Sequence, residues 1–311
     1  MTDQPTTRQT LAPEPNGKTP HDPGPPESPA DAKANRTRRN RRYIIKTLST
    51  SPTFISGAVI VLFWVFVGVA WQLVVPHDPQ AVDPFHSFEP PSSTHLLGTD
   101  NLGRDVLSRV LAGAQTVLLI APAATVLAVI FGALLGLVAG YYGGIVDIFV
   151  MRAVDVLMAI PTLIVAVLVL GILGSSLLNV IILIAVFFVP QIARTVRGSV
   201  GDEVQKGYVE AARMRGERGF YSMVIEVLPN VTSPILVEAT IRLGYAVFTA
   251  ATLSFLGLGL QPPSPDWGRT ISEQRAYIEI SPWALLAPAI ALATFIVGVN
   301  LAADGLRKAF K

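Results

Sequence analysis

The sequence contains no cysteine and only four histidines among 311 residues, and 15% of it is charged, against about 25% for an average soluble domain. Without cysteine there is no disulfide, no thiolate metal site and no cysteine nucleophile. His21, His77, His86 and His95 all precede residue 96 and lie outside every long apolar run. That placement excludes an intramembrane Ser-His dyad, an H-E-x-x-H helix and a histidine proton relay. His77, His86 and His95 repeat every nine residues, but no thiolate accompanies them, so they read as loop residues and no metal site is expected. The nearest approach to a phosphate loop is Gly17-Lys18-Thr19, where Ala12 stands in place of the required first glycine. The chain is therefore not expected to hydrolyse ATP, to hold a cofactor or to carry a catalytic residue.

What the sequence has in abundance is apolar side chain. It is 51% hydrophobic with a mean hydropathy of +0.50. A soluble chain of this length would leave too much of that surface exposed, so the composition calls for a bilayer as part of the solvent. Residues 1–46 are the exception. They form a tail with eight prolines and little to bury, expected to be disordered, ending in the basic run Arg36, Arg38, Arg39, Arg41, Arg42 and Lys46. Because an apolar stretch follows at once, that run reads as an anchor on anionic membrane lipid rather than a nucleic-acid arm.

Residues 47–76 carry no Asp, Glu, Lys or Arg and make the first span, uncleaved because the basic leader is too long for a signal peptide. A polar, Pro-rich loop fills 77–109. The segment 110–305 then reads as a five-helix core with spans near 114–139, 155–173, 177–193, 231–256 and 284–303, and 306–311 closes the chain. Pro161 and Pro190 are expected to kink or end their helices, and the glycines and serines at 171–176 to turn the chain between two spans. The expected class is an all-α integral membrane protein with six transmembrane helices. With the N-terminus inside, 19 Lys and Arg fall on the inner side and four on the outer, giving +6 and −4 once acidic residues are included. Both termini are thus expected in the cytoplasm.

Three groups of residues stand out. Gly132, Gly136, Gly140 and Gly144 recur every four residues, a spacing that lets a neighbouring helix approach closely. Glu238 and Arg242 lie four apart inside a span, so they share a face and can pair, either lining a translocation pathway or neutralising each other against a neighbouring helix. In the cytoplasmic loop 194–230, Tyr208 to Gly216 reads as a short helix ended by a left-handed glycine, with Leu228-Pro229 near the start of the next span. A rigid helix lying across the inner face between two spans can receive a push from a partner.

Glu210-Ala211-Ala212, Gly216 and Leu228-Pro229 resemble the cytoplasmic EAA loop of binding-protein-dependent ABC importer permeases. Gly98-Thr99-Asp100-Asn101-Leu102-Gly103-Arg104-Asp105 and Ser254-Phe255-Leu256-Gly257-Leu258-Gly259, with Gln261-Pro262-Pro263 and Trp267-Gly268, resemble the second permease (C) subunit of dipeptide, oligopeptide and nickel importers. The resemblance spans about residues 50–311. It implies a type I ABC importer permease fold in a bacterial inner membrane and a homologous second permease as heterodimer partner. It also implies two ATP-binding subunits holding ATP and Mg, and an extracytoplasmic substrate-binding protein. Glu210, Ala211, Ala212, Arg213, Gly216, Leu228 and Pro229 would form the ATPase-coupling segment. Two positions depart from the pattern: Glu226 replaces an aliphatic residue, and Arg213, Arg215 and Arg218 make the segment unusually basic. The implied cargo is a short peptide, with nickel chelates, glutathione and opines as neighbours. The reading from another class, a self-sufficient secondary transporter, calls for a coupling-ion site or an inverted repeat. Gly98–Asp105 itself reads as a turn ordering the entry to the second span.

Overall fold

The computed structural model describes residues 47–309, which are helical apart from loops and one isolated antiparallel bridge between Thr99 and Asp105. The proline- and arginine-rich tail, with the lipid-anchoring role read for it, lies outside the described residues. Ser51 opens α1 (Pro52–Val69) by accepting the Phe54 N–H at 3.4 Å, and Pro52 fills the first helical position, where a missing N–H costs nothing. A single turn, α2 (Trp71–Val74), follows. Asp105 caps the 37-residue α3 (Val106–Tyr142), its carboxylate accepting the Ser108 N–H at 2.8 Å. Then come α4 (Gly144–Ala159), α5 (Thr162–Leu173), α6 (Leu177–Val204) and the short α7 (Gly207–Met214). The chain continues through α8 (Gly219–Phe255), α9 (Trp267–Gln274) and α10 (Pro282–Ala309).

Helices α1, α3, α6, α8 and α10 are long and apolar enough to cross a membrane, and the α4–α5 pair, bent by 82°, is a sixth candidate as a broken span. The break falls at Pro161, where a kink or helix end was expected within the 155–173 span, and the helix before it reaches back to Gly144. Pro161 disfavours helical backbone in the residue before it, and Ile160 is extended at φ −88°, ψ 128°. The expected turn after α5 is present. Gly174 has φ +82°, Ser176 caps α6, and the Asn179 amide donates to the carbonyls of Leu173 and Gly174 at 3.1 and 2.9 Å.

Helix also outruns hydropathy. Apolar sequence stops at Ala193, yet α6 runs on to Val204, with Val196 and Val200 buried against α3 and Arg194 and Arg197 paired with Asp155 and Asp147 on α4. Likewise α8 starts at Gly219, so the non-helical part of the 194–230 loop shrinks to the residues around α7.

Close packing is concentrated where side chains are absent. A Cβ at Gly132, Gly136 or Gly140 would lie 2.7 Å from the Ile192 Cβ, 2.5 Å from the Ala193 carbonyl oxygen or 2.8 Å from the Arg197 carbonyl oxygen, so α6 lies directly on α3. Gly144 does not join them. The α3 helix ends at Tyr142, Gly144 starts α4 with φ +51°, and nothing lies within 4 Å of its missing Cβ. The four-residue repeat simply runs past the helix end. An unforeseen second seam joins α1 to α10, where a Cβ on Gly57 would sit 2.4 Å from the Ala302 nitrogen and one on Gly305 would sit 2.5 Å from the Phe54 Cβ.

Candidate functional site

Helix α7 is short, polar on one side and closed at its end by backbone geometry. The N–H of Gly216 donates to the Arg213 carbonyl at 3.0 Å and that of Glu217 to the Ala212 carbonyl at 3.3 Å, while Gly216 sits at φ +76°. This is the Schellman arrangement, and its left-handed position strains any residue with a Cβ. Val209 and Ala212 are fully buried, whereas Glu210, Arg213 and Gly216 are exposed and Ala211 is half-buried. Met214, 78% exposed, stands near Phe220 and Tyr221 in sequence, both also exposed. The α7 region therefore exposes large apolar side chains as well as charged ones.

The inward side is tied to two long helices through one hydroxyl. Tyr208 donates to Glu203 Oε1 on α6 at 2.6 Å and accepts from the Asn230 amide on α8 at 3.0 Å. Burial, together with the Glu203 carboxylate, pushes the Tyr208 phenol up to about 12, so it remains a donor throughout the physiological range. Lys206 holds the other Glu203 oxygen at 2.7 Å. Tyr208 is the first residue of the quoted motif stretch, but its bonding role depends on Glu203 and Asn230, which carry no motif signal.

Two apparent irregularities meet here. Glu226, where an aliphatic residue is usual, lies 3.8 Å from Arg215, one of the extra basic residues, and Arg215 also holds Glu217 at 2.7 Å. Pro229 stands near the start of the α-helical part of α8, Leu228–Phe255, as the sequence suggested, and a π-helical stretch, Ser222–Val227, leads directly into it. The wide turn accommodates a residue that cannot donate, and the Asn230 side chain takes the Glu226 carbonyl at 2.7 Å. Leu228 packs against the core, and Pro229 is exposed. From the far side, Tyr141 at the end of α3 lies 3.4 Å from the Cβ position of Gly219, and the Arg213 guanidinium sits 5.4 Å from the Tyr141 ring centre.

Farther along α8, Glu238 is 6% exposed and accepts from Arg242 Nε at 2.6 Å. The same guanidinium bonds Gln191 on α6 and lies 5.9 and 5.5 Å from the ring centres of Phe188 and Tyr245. Gln191 also lines a cavity of about 150 Å³ against Met158 and Thr162, and Tyr245 one of about 410 Å³ against Asn300 and Arg307. The pair thus joins α8 to α6 between two concavities. Gln191 was not legible as its partner, since nothing in its spacing marks it.

At the opposite end of the long helices, Gly98–Asp105 forms a buried polar turn. Asp100 accepts from Arg104 Nε at 2.7 Å and from the N–H groups of Leu102 and Arg104 at 2.9 and 3.0 Å. Arg104 reaches on to Glu273 of α9 at 3.5 Å, and Gln274 donates to Asn101 at 2.6 Å. Gly103 has φ +71° and abuts the Asp83 backbone, which no larger residue permits. Trp267 donates to the Val110 carbonyl at 2.8 Å, and buried Asp266 accepts from Ser254 at 3.0 Å. Burial raises the Asp266 carboxyl, partly opposed by the Arg269 N–H that it caps. The arrangement pins the loop and α9 onto the starts and ends of the long helices, as expected of an ordering turn.

Residues 132–311 match the family described as "Binding-protein-dependent transport system inner membrane component". The chain is 34% identical to the dipeptide transport system permease protein DppC of Alkalihalophilus pseudofirmus, over 96% of this chain and 95% of that one. It is 39% identical to the di/tripeptide transport system permease protein DppC of Pseudomonas aeruginosa, covering 82% and 86%. To the glutathione transport system permease protein GsiD of Pectobacterium atrosepticum it is 38% identical, covering 82% and 85%. Among solved structures, a chain of the inward-facing MetNI methionine ABC transporter matches with 23% identity and a TM-score of 0.49, covering 64% of this chain and 96% of that one.

Proposed function

Because the chain belongs to the binding-protein-dependent transport system inner membrane components, and is thus a multi-pass permease subunit of an ABC importer rather than an enzyme, we propose that it passes dipeptides or short oligopeptides inward. The ATPase and the substrate-binding protein of such a system are separate partners. In this reading the permease pairs with a homologous second permease, and two ATP-binding subunits dock on Glu210, Arg213 and the exposed Met214 beside them. The observation that carries it is the Tyr208 joint. A capped, rigid helix bonded to both α6 and α8 converts a push on its outer side into movement of the two helices that hold Glu238 and Arg242. Glu238 and Arg242 line the pathway, with Gln191 as the contact that α6 makes and breaks.

The excess of Lys and Arg on one side, 19 against four, supports six spans with both termini in the cytoplasm. That orientation puts α7 within reach of ATPase subunits and the Gly98–Asp105 turn within reach of the binding protein. A second reading of the cargo, glutathione, draws on the GsiD relatives; glutathione is itself a modified tripeptide.

Proteoliposomes holding both permeases and the ATPase subunits, given the binding protein and ATP, test the reading with labelled dipeptide and labelled glutathione. Dipeptide uptake that needs both ATP and the ATPase subunits is expected. Uptake of glutathione alone would move the cargo to the second reading, and ATP-independent uptake without the ATPase subunits would overturn the mechanism.

A further inference from the structure

The loop that precedes α3 brings together donors that are distant in sequence. His95 Nδ1 lies 2.9 Å from Asp105 Oδ1, His77 Nδ1 lies 3.9 Å from the same oxygen, and the two imidazole rings are 4.8 Å apart. One donor atom from each of these three residues falls within 4.8 Å of the others, and among the described residues this is the one such grouping of histidine and carboxylate. The third histidine of the nine-residue repeat goes elsewhere: His86 bonds Asp83 at 2.7 Å, which raises the His86 imidazole and lowers the Asp83 carboxyl.

We propose that His77, His95 and Asp105 form a three-ligand site for a divalent ion of the Zn²⁺ class. Two imidazoles and a carboxylate are a donor set suited to a borderline ion, with bonds of about 2.1 Å and donors about 3.4 Å apart in a tetrahedral site. The present separations straddle that value, so small side-chain rotations suffice. The carboxylate is already oriented. Its second oxygen, Oδ2, accepts from Ser108 N and Oγ at 2.8 and 2.6 Å, which leaves Oδ1 directed at the histidines. Ser108 Oγ in turn accepts the His77 N–H at 3.1 Å, and Ser92 Oγ accepts the His95 N–H at 3.1 Å, so backbone on both histidines is held. Asp105 is 2% exposed at its side chain, His95 20% and His77 43%, which gives an ion a solvent route past His77. On binding, the imidazole proton between His95 and Asp105 moves to Nε2, freeing the Nδ1 lone pair, and the fourth position stays open to water or another ligand. Such an ion would staple residue 77 and residue 95 to the first turn of α3. The inference rests on this geometry alone and does not depend on which cargo is carried.

The test is zinc content and zinc affinity of the full-length chain, purified in detergent through a histidine-free tag and dialysed against Zn²⁺ alone. His77→Gln and His95→Gln are compared with His86→Gln. One Zn²⁺ per chain is expected in the native protein and in His86→Gln, with affinity at least tenfold weaker in His77→Gln and His95→Gln. Asp105 is left intact because it caps α3. No stoichiometric zinc in the native protein overturns the site, as does zinc retained with unchanged affinity in both ligand variants. A merely structural His95–Asp105 latch predicts the first of these results, and the second would place the bound zinc elsewhere on the chain.

Discussion

Single side chains on this molecule act through where their protons and charges are held. Tyr208 is the sharpest case, since one hydroxyl spans from α7 to both α6 and α8. Tyr208→Phe keeps the ring's packing and removes both bonds, which are worth about 1 kcal/mol each, more where the partner is charged. The expected outcome is a complex that assembles and hydrolyses ATP at close to the native rate but takes up severalfold less substrate per ATP; an unchanged ratio would count against the joint. Asp266 gives a pH test. Its folded carboxyl is raised by burial above the unfolded value near 4. Stability from the neutral form is therefore fully present below about pH 4 and is lost as pH rises through the folded value. In Asp266→Asn the amide oxygen can still accept the Arg269 N–H, so the melting temperature of the variant should gain on the native protein between about pH 4 and pH 8. A constant gap would contradict the sign.

Among elements, the α3–α6 contact is set by absent side chains, and its glycines differ from those that merely sit in a helix. Gly136→Leu drives a side chain into the Ala193 backbone, an overpacking cost of about 1–3 kcal/mol or more. Gly198 on α6 has nothing within 4 Å, so Gly198→Ala should be neutral or stabilising by about 0.5–1 kcal/mol. Thermal unfolding in detergent reads both. Much of this was legible: the four-residue glycine spacing marked the α3 face, and Gly216 marked the end of α7. The repeat could not reveal that α3 stops at Tyr142, because Gly143 and Gly144 continue the spacing while turning the chain. Hydropathy located the membrane-length runs but ended α6 too early, since Arg194 and Arg197 interrupt the apolar sequence while Val196 and Val200 go on packing against α3. The broken α4–α5 pair needed only Pro161, yet the sequence offered both a kink and a stop. In the candidate site, α7 was readable from local propensity, whereas Glu203 and Asn230 are joined to it, and Gln191 to Arg242, by tertiary contacts that no local pattern carries.

For the whole molecule, the proposed orientation rests on the charge balance, +6 on one side and −4 on the other. The absence of cysteine provides the means to check it. Thr94→Cys and Glu217→Cys place single thiols at the two ends of the bundle. A membrane-impermeant maleimide should label Thr94→Cys in intact cells and Glu217→Cys only after permeabilisation; the opposite pattern would invert the topology. With that orientation, α7 faces the cytoplasm, the Asp100–Arg104–Glu273 network holds the outer loops together, and the Glu238–Arg242–Gln191 link lies between them. In the proposed mechanism the molecule would work as a lever, with α7 as its handle and the Glu238–Arg242–Gln191 link as its grip.

The measurement that bears most directly on that account is uptake and ATP hydrolysis in proteoliposomes with Glu210→Lys and Gly216→Val. Glu210 is an exposed charge on α7, and Gly216 holds the left-handed turn that ends it. Both variants should insert in the membrane at native levels, lose ATPase docking or coupling, and take up labelled dipeptide at least tenfold more slowly. Native ATP-driven uptake in both variants would contradict the claim that α7 carries the movement.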